Sequence, residues 1–144
     1  MKRVLVLCTG NSCRSQMAEG YLRFYSNGNV EVSSAGLEET ALNPYTIRVM
    51  EEDNIDMSKH EPQGIEAFAG EAFDYLITVC ERADETALSD IHYHHKVHFD
   101  IPDPARTKGT DEEIEEEFLR VREIIKKNML KFLGGILSED HQAA

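Results

Sequence analysis

The chain has little cysteine, a deficit of basic charge and no long apolar run, and each shortage excludes something. Its three cysteines are an odd number and too few for a disulfide scaffold, which suits catalytic thiols in a reducing, cytoplasmic compartment. Lys and Arg number 15 against 27 Asp and Glu, so the formal net charge is −12. That balance argues against non-specific nucleic-acid binding and against adhesion to anionic membranes, while allowing a locally positive pocket. No apolar stretch approaches the roughly 20 residues of a membrane span. The start, Met1-Lys2-Arg3 and then apolar residues, mimics a signal peptide only faintly. Its apolar run stops at Cys8 without a small-residue cleavage site, and Leu7 stands where a lipoprotein site wants a small residue. Repeats, low-complexity tracts and a second domain are also absent. What remains, with 41% hydrophobic and 29% charged residues over 144 positions, is one globular domain with a single core. Residues 1–134 are expected to form it, with 135–144 a mobile tail after Gly134-Gly135.

Strand and helix patterns alternate along this domain. Val4 to Leu7 is an apolar, β-branched run that reads as a buried parallel strand. Met17, Ala18, Tyr21, Leu22 and Tyr25 recur at helical spacing over Ser15 to Ser26, and Asn27-Gly28-Asn29 ends that helix. A second strand is expected near Val30 to Ser34. A second helix runs to about Glu52, with Asn43 as cap and Pro44 at its first position. Asp53 to Gln63 reads as a loop, and Ile65 to Ala69 as a short helix. Phe73 to Val79 is a third strand ending at Cys80, a helix is expected over Arg82 to Leu88, and Lys96 to Phe99 is a short fourth strand. Thr110-Asp111-Glu112-Glu113 caps a last helix whose stripe is Ile114, Phe118, Val121, Ile125, Met129 and Phe132, ending at Gly134-Gly135. The acidic run from Asp111 to Glu117 is its wet face. His92, His94, His95 and His98 match no ordered metal-ligand spacing, so no metal is assigned and they read as a solvated loop. The fold class is α/β, a three-layer sandwich with a four-stranded parallel sheet and helices on both faces.

The chemistry concentrates in Val4 to Ser15, VLVLCTGNSCRS. A strand delivers Cys8 to a loop of small and polar residues, Thr9, Gly10, Asn11, Ser12, Cys13 and Arg14, and Ser15 opens a helix. Helix N-terminal N–H groups, loop amides turned inward and the planar fork of Arg14 all favour a bound tetrahedral oxyanion. Thiols beside helix N-termini and cations ionise readily, so Cys8 is a candidate nucleophile, with Ser15 placed to donate to its thiolate. Ligands in such sheets sit beyond the carboxyl ends of the strands. Cys80 and Asp103-Pro104 follow strand ends on that same rim. A carboxylic acid there can protonate a leaving oxygen, and both Asp100 and Asp103 are candidates by position.

The pattern C-x5-R-S directly after an N-terminal strand resembles the low-molecular-weight protein tyrosine phosphatases, and more specifically the arsenate reductases built on that scaffold. CTGNSCRSQMAEG and HFDIPDPA carry the resemblance, and VSSAGLEETALNPYTIRVM, FDYLITVCERAD and FLRVREIIK support it. It implies the sheet order 2-1-3-4, selects Asp103 as the acid, and makes Cys80 the thiol that resolves a Cys8–arsenate adduct. Cys13, able to pair with Cys8, is assigned a structural or protective role. Gln16 in place of the phosphatases' usual Pro, and Ala105 in place of an aromatic after Asp-Pro, lean toward reductase. One departure cuts the other way: no cysteine follows Cys80, and Ala87 stands about where a third relay cysteine is expected. An external reductant, thioredoxin or glutathione with glutaredoxin, must then close the cycle. In some such reductases residues like Asn11, Glu19 and Ser34 help hold potassium, but the loop near Gln63 offers no matching acid, and no resident cofactor is assigned. Three readings follow for a monomeric protein. They are an arsenate reductase, a phosphatase in which water resolves a phospho-Cys8, and a non-catalytic oxyanion-binding module.

Overall fold

The computed structural model describes residues 1–8, 10, 13–37, 41–58, 60–80 and 90–143. The elements run β1 (Lys2–Cys8), α1 (Arg14–Ser26), β2 (Val30–Gly36), α2 (Pro44–Glu52), a 3-10 turn (Ile65–Phe68), β3 (Ala72–Thr78), β4 (His92–His98), a second 3-10 turn (Pro104–Arg106) and α3 (Asp111–Ala143). The sheet is parallel throughout, in the order β2-β1-β3-β4. The register aligns Cys8 with Gly36, Leu7 with Thr78 and Thr78 with His98, so the strands end together on one rim. The chain leaves β1 toward β2 on one side and reaches β3 on the other, which makes β1 the switch point of the sheet.

One face of the sheet carries Val4, Val6, Tyr75 and Ile77, packed against Met17, Tyr21 and Leu22 of α1, Val49 and Met50 of α2, and Phe118, Val121, Ile125 and Met129 of α3. On the opposite face Leu5, Leu7, Ala35, Phe73 and Leu76 pack with Phe68 of the first 3-10 turn and with Ile91. The helix expected over Arg82 to Leu88 lies outside the described residues. Gly20 brings α1 close to its neighbours: a Cβ there would stand 3.0 Å from Met50 Cε and 3.3 Å from Ile55.

The local punctuation acts as its chemistry dictates. Asn27 ends α1 in the left-handed conformation at φ 56°. Asn43 accepts from Tyr45 N at 2.9 Å with Pro44 at the first helical position. Thr110 and Glu113 cap α3 reciprocally, through Glu113 N to Thr110 Oγ1 at 3.2 Å and Thr110 N to Glu113 Oε1 at 3.3 Å.

Three expectations need correction. The histidines are not in a loop: β4 begins at His92, four residues before the expected start at Lys96. Apart from half-buried Val97 the strand is exposed, so an edge strand needs no alternating apolar pattern to mark it. His95 stacks on Tyr75 with ring centroids 5.2 Å apart, and His98 Nδ1 lies 2.7 Å from Thr78 Oγ1. Gly134-Gly135 does not end α3, which continues to Ala143. Ile136, on the stripe of Met129, Phe132 and Leu133, is 4% exposed within the core. Burying an aliphatic side chain is worth about 1.5–3 kcal/mol, enough to offset about 1 kcal/mol for each helical glycine. Tyr25 is not a core residue: it lies exposed, edge-to-face with Phe24 and stacked beside Tyr21.

Candidate active site

Cys8 ends β1 and is buried, its Sγ 2.9 Å from the Oγ of Ser15, which is fully buried in the first turn of α1. When the sulfur is a thiolate only the hydroxyl can donate in this bond, so Ser15 supports the nucleophilic form. The register places Cys8 beside Gly36, and Leu37 N donates to Cys8 O at 3.1 Å. Cys13 caps α1, and its carbonyl receives Met17 N at 2.9 Å. The α1 N-terminus, with its partial positive charge, thus begins directly after Cys13. Of the loop residues assigned to the oxyanion, Gly10, Cys13 and Arg14 are described, while Thr9, Asn11 and Ser12 lie outside the described residues.

Arg14 is 7% exposed and reaches across the rim. Its Nη1 donates to the carbonyls of Val79 at 3.3 Å and Ile101 at 3.0 Å, and its Nη2 lies 3.7 Å from Asp103 Oδ2. One guanidinium therefore joins the loop after Cys8, the end of β3 and the segment that carries Asp103. Asp103 caps the second 3-10 turn, its Oδ1 accepting from Ala105 N at 3.0 Å. The two carboxylate oxygens are thereby distinguished. Oδ1 is committed to the backbone, and Oδ2 faces Arg14 and, at 3.7 Å, Arg106 Nε. Arg14 pairs with Asp103 rather than with the exposed Asp100. Cys80 follows directly on Val79, whose carbonyl Arg14 holds, and is 2% exposed. Cys8, Cys13 and Cys80 are unbridged thiols in the same buried cluster.

Beneath the first turns of α1 lies a polar cluster of which the sequence indicated only a part. Glu19 Oε1 accepts from Ser34 Oγ at 2.9 Å, and Oε2 lies 3.0 Å from His60 Nδ1 and 3.3 Å from Arg23 Nε. His60 Nδ1 also lies 3.1 Å from Gln16 Oε1, and two acceptors on one ring nitrogen place the hydrogen there. Burial pushes the Glu19 carboxyl up, but the hydrogen bond from His60, the Arg23 charge and the Ser34 hydroxyl outweigh it, so it sits below the usual glutamate value. Two nitrogen donors on one carboxylate oxygen do not fit a potassium ion, which needs oxygen ligands free of competing cations, and no step is routed through one. His60 gave no signal in the sequence, because it stands in a loop with no motif around it. Arg106 likewise stands in a turn with no motif of its own to mark it.

Arsenate reductases of Bacillus subtilis (strain 168) and Halalkalibacterium halodurans are 39% and 38% identical over 132 and 131 residues, each covering 91% of this chain and 94% of the relative. A solved structure described as an arsenate reductase in the phosphate binding state superposes with a TM-score of 0.77 at 31% identity, covering 94% of this chain and 99% of that one. A YwlE arginine phosphatase from Geobacillus stearothermophilus shares the fold at a TM-score of 0.75 and 20% identity. The family model described as low molecular weight phosphotyrosine protein phosphatase matches residues 3–143, and the chain belongs to that family.

Proposed function

We propose that the chain is a thiol-dependent arsenate reductase. The observation that carries this reading is the hydrogen bond from Arg14 to Val79 O, which ties the oxyanion-binding arginine to the peptide immediately before a second buried thiol, Cys80. A phosphatase has no use for a thiol there, whereas a reductase requires one. The curated relatives named as arsenate reductases support the same choice.

The reaction follows from the groups on the rim. Arg14 and the loop amides hold arsenate, and the Cys8 thiolate attacks arsenic. Asp103 Oδ2 gives its proton to the departing hydroxide, so that water leaves as the sulfur–arsenic bond forms. The Cys80 sulfur then attacks Cys8 Sγ. The sulfur–arsenic electron pair stays on arsenic, which is reduced by two electrons, the Cys80 proton leaves with arsenite, and a Cys8–Cys80 disulfide remains. A thioredoxin, or glutathione with a glutaredoxin, restores the thiols. The chain works in the cytoplasm, where such donors occur, and one chain supplies each reacting group.

The test is arsenite release from arsenate with each reductant in turn, comparing wild type with Cys80→Ser. Turnover in wild type that collapses in Cys80→Ser is expected. Steady hydrolysis of an aryl phosphate, with no arsenite from either donor and no effect of Cys80→Ser, would make the chain a phosphatase.

A further inference from the structure

We propose that Arg106 is a positioning residue for proton transfer, holding the Asp103 carboxylate after it has given up its proton. The proposal rests on the reading of Asp103 as the proton donor. Asp103 is the cap of a three-residue 3-10 turn, Pro104–Arg106, and in a 3-10 helix side chains three apart eclipse one another. Asp-Pro-Ala-Arg thus stations a guanidinium directly over the acid. Arg106 Nε lies 3.7 Å from Oδ2, the oxygen left free by the bond from Ala105 N to Oδ1, and this is also the oxygen that faces Arg14.

Charge counting shows why a second cation belongs here. The Cys8 thiolate and an arsenate dianion carry three negative charges, and a neutral Asp103 adds none. When the proton moves to the leaving hydroxide, a thiol–arsenate dianion, water and a new carboxylate result, and the total is unchanged. The third charge has moved from sulfur to Asp103 Oδ2. Arg14 is then committed to the oxyanion, and a chain of net charge −12 supplies little background attraction for the new carboxylate. Of the two arginines that face Oδ2 among the described residues, Arg106 is left to receive it. Arg106 itself is 79% exposed, so replacing it leaves the core untouched.

Help to an acid shows most where the leaving group most needs a proton. The experiment compares kcat/KM for phenyl phosphate, a poor leaving group, with p-nitrophenyl phosphate, a good one, in wild type, Arg106→Ala, Arg106→Lys, Asp103→Asn and the double variant Arg106→Ala/Asp103→Asn. Arg106→Ala should lower the phenyl phosphate value about two- to five-fold, the size exposed ion pairs support, and the p-nitrophenyl value by less. Arg106→Lys should restore it, and the effect should vanish once Asp103 is Asn. Equal losses on both substrates, or the same loss with Asp103→Asn, would overturn the proposal, because Arg106 would then act on the oxyanion directly. Asp103→Asn with an undiminished phenyl phosphate value would instead remove Asp103 from the acid role, a distinct failure. If wild type hydrolyses no aryl phosphate, kcat/KM for arsenate reduction is compared across the same variants: a loss in Arg106→Ala that Arg106→Lys restores and that vanishes with Asp103→Asn is expected, and the same loss with Asp103→Asn would overturn the proposal.

Discussion

Glu19→Ala tests how much the fold depends on the polar cluster under α1. The carboxylate accepts from Ser34 Oγ at 2.9 Å and pairs with His60 Nδ1 at 3.0 Å, with side chains only 11% and 14% exposed for Glu19 and His60. After the substitution His60 keeps Gln16 Oε1 at 3.1 Å, and Arg23, 57% exposed, keeps Val32 O at 2.8 Å through its Nη2. What is left is the buried Ser34 hydroxyl without its acceptor and the loss of a charge-assisted bond. That places the cost at about 3 kcal/mol, the low end of what breaking a buried pair takes. At roughly 2–4 °C per kcal/mol for a domain of this size, Tm should fall by about 6–12 °C. Glu19→Gln keeps an acceptor and should cost about 1 kcal/mol. Because Glu19 sits below the usual glutamate value in the fold, its contribution is complete above the unfolded-chain value and is lost as pH falls through the folded one. Urea unfolding followed by circular dichroism from about pH 7 to about pH 3 should therefore show the gap between wild type and Glu19→Gln closing on acidification. Glu19→Ala within about 0.5 kcal/mol of wild type near neutrality, or a gap unchanged at low pH, would refute the reasoning.

Three further outcomes concern helix ends and the core. Ile136→Ala should destabilise by about 2–4 kcal/mol in urea unfolding, because the side chain is buried beyond the glycine pair. Gly134→Ala should stabilise by up to about 1 kcal/mol, since nothing lies within 4 Å of the added Cβ. Asn43→Ala should cost about 1 kcal/mol in the same assay through loss of the bond to Tyr45 N at the start of α2.

The parts of this molecule legible in the sequence are those whose determinants are local. The α2 cap, the Thr110–Glu113 box and the left-handed Asn27 each act within a turn of their own residue, and each is where the residue types place it. The Cys8–Arg14 loop is of the same kind, a strand end, a turn and a helix start read in one pass. The misplaced elements are those decided by neighbours distant in the chain. β4 is a strand because β3 offers it a ladder from Ala72 to Thr78, with its side chains left in water, so no apolar period records it. The last helix crosses two glycines because Ile136 finds the core. His60 meets Glu19 only because the segment before Gly64 is drawn to the sheet, where Gln63 O accepts from Gly36 N at 2.8 Å and Gly64 bridges Gly36.

The same division runs through the site at Arg14. Its sequence neighbours place it over the loop, but its side chain is held by the carbonyls of Val79 and Ile101 and faces Asp103, three positions that no local pattern links to it. Lysine would keep the charge but not the fork. An ammonium cannot hold two carbonyls on one side and present a planar pair of donors on the other. The register of the sheet, with Leu7 beside Thr78 and Thr78 beside His98, brings the ends of β1, β3 and β4 within reach of one guanidinium. Cys8, Asp103 and Cys80 come from three separated stretches of chain; Arg14 belongs to the first, and its side chain reaches the other two.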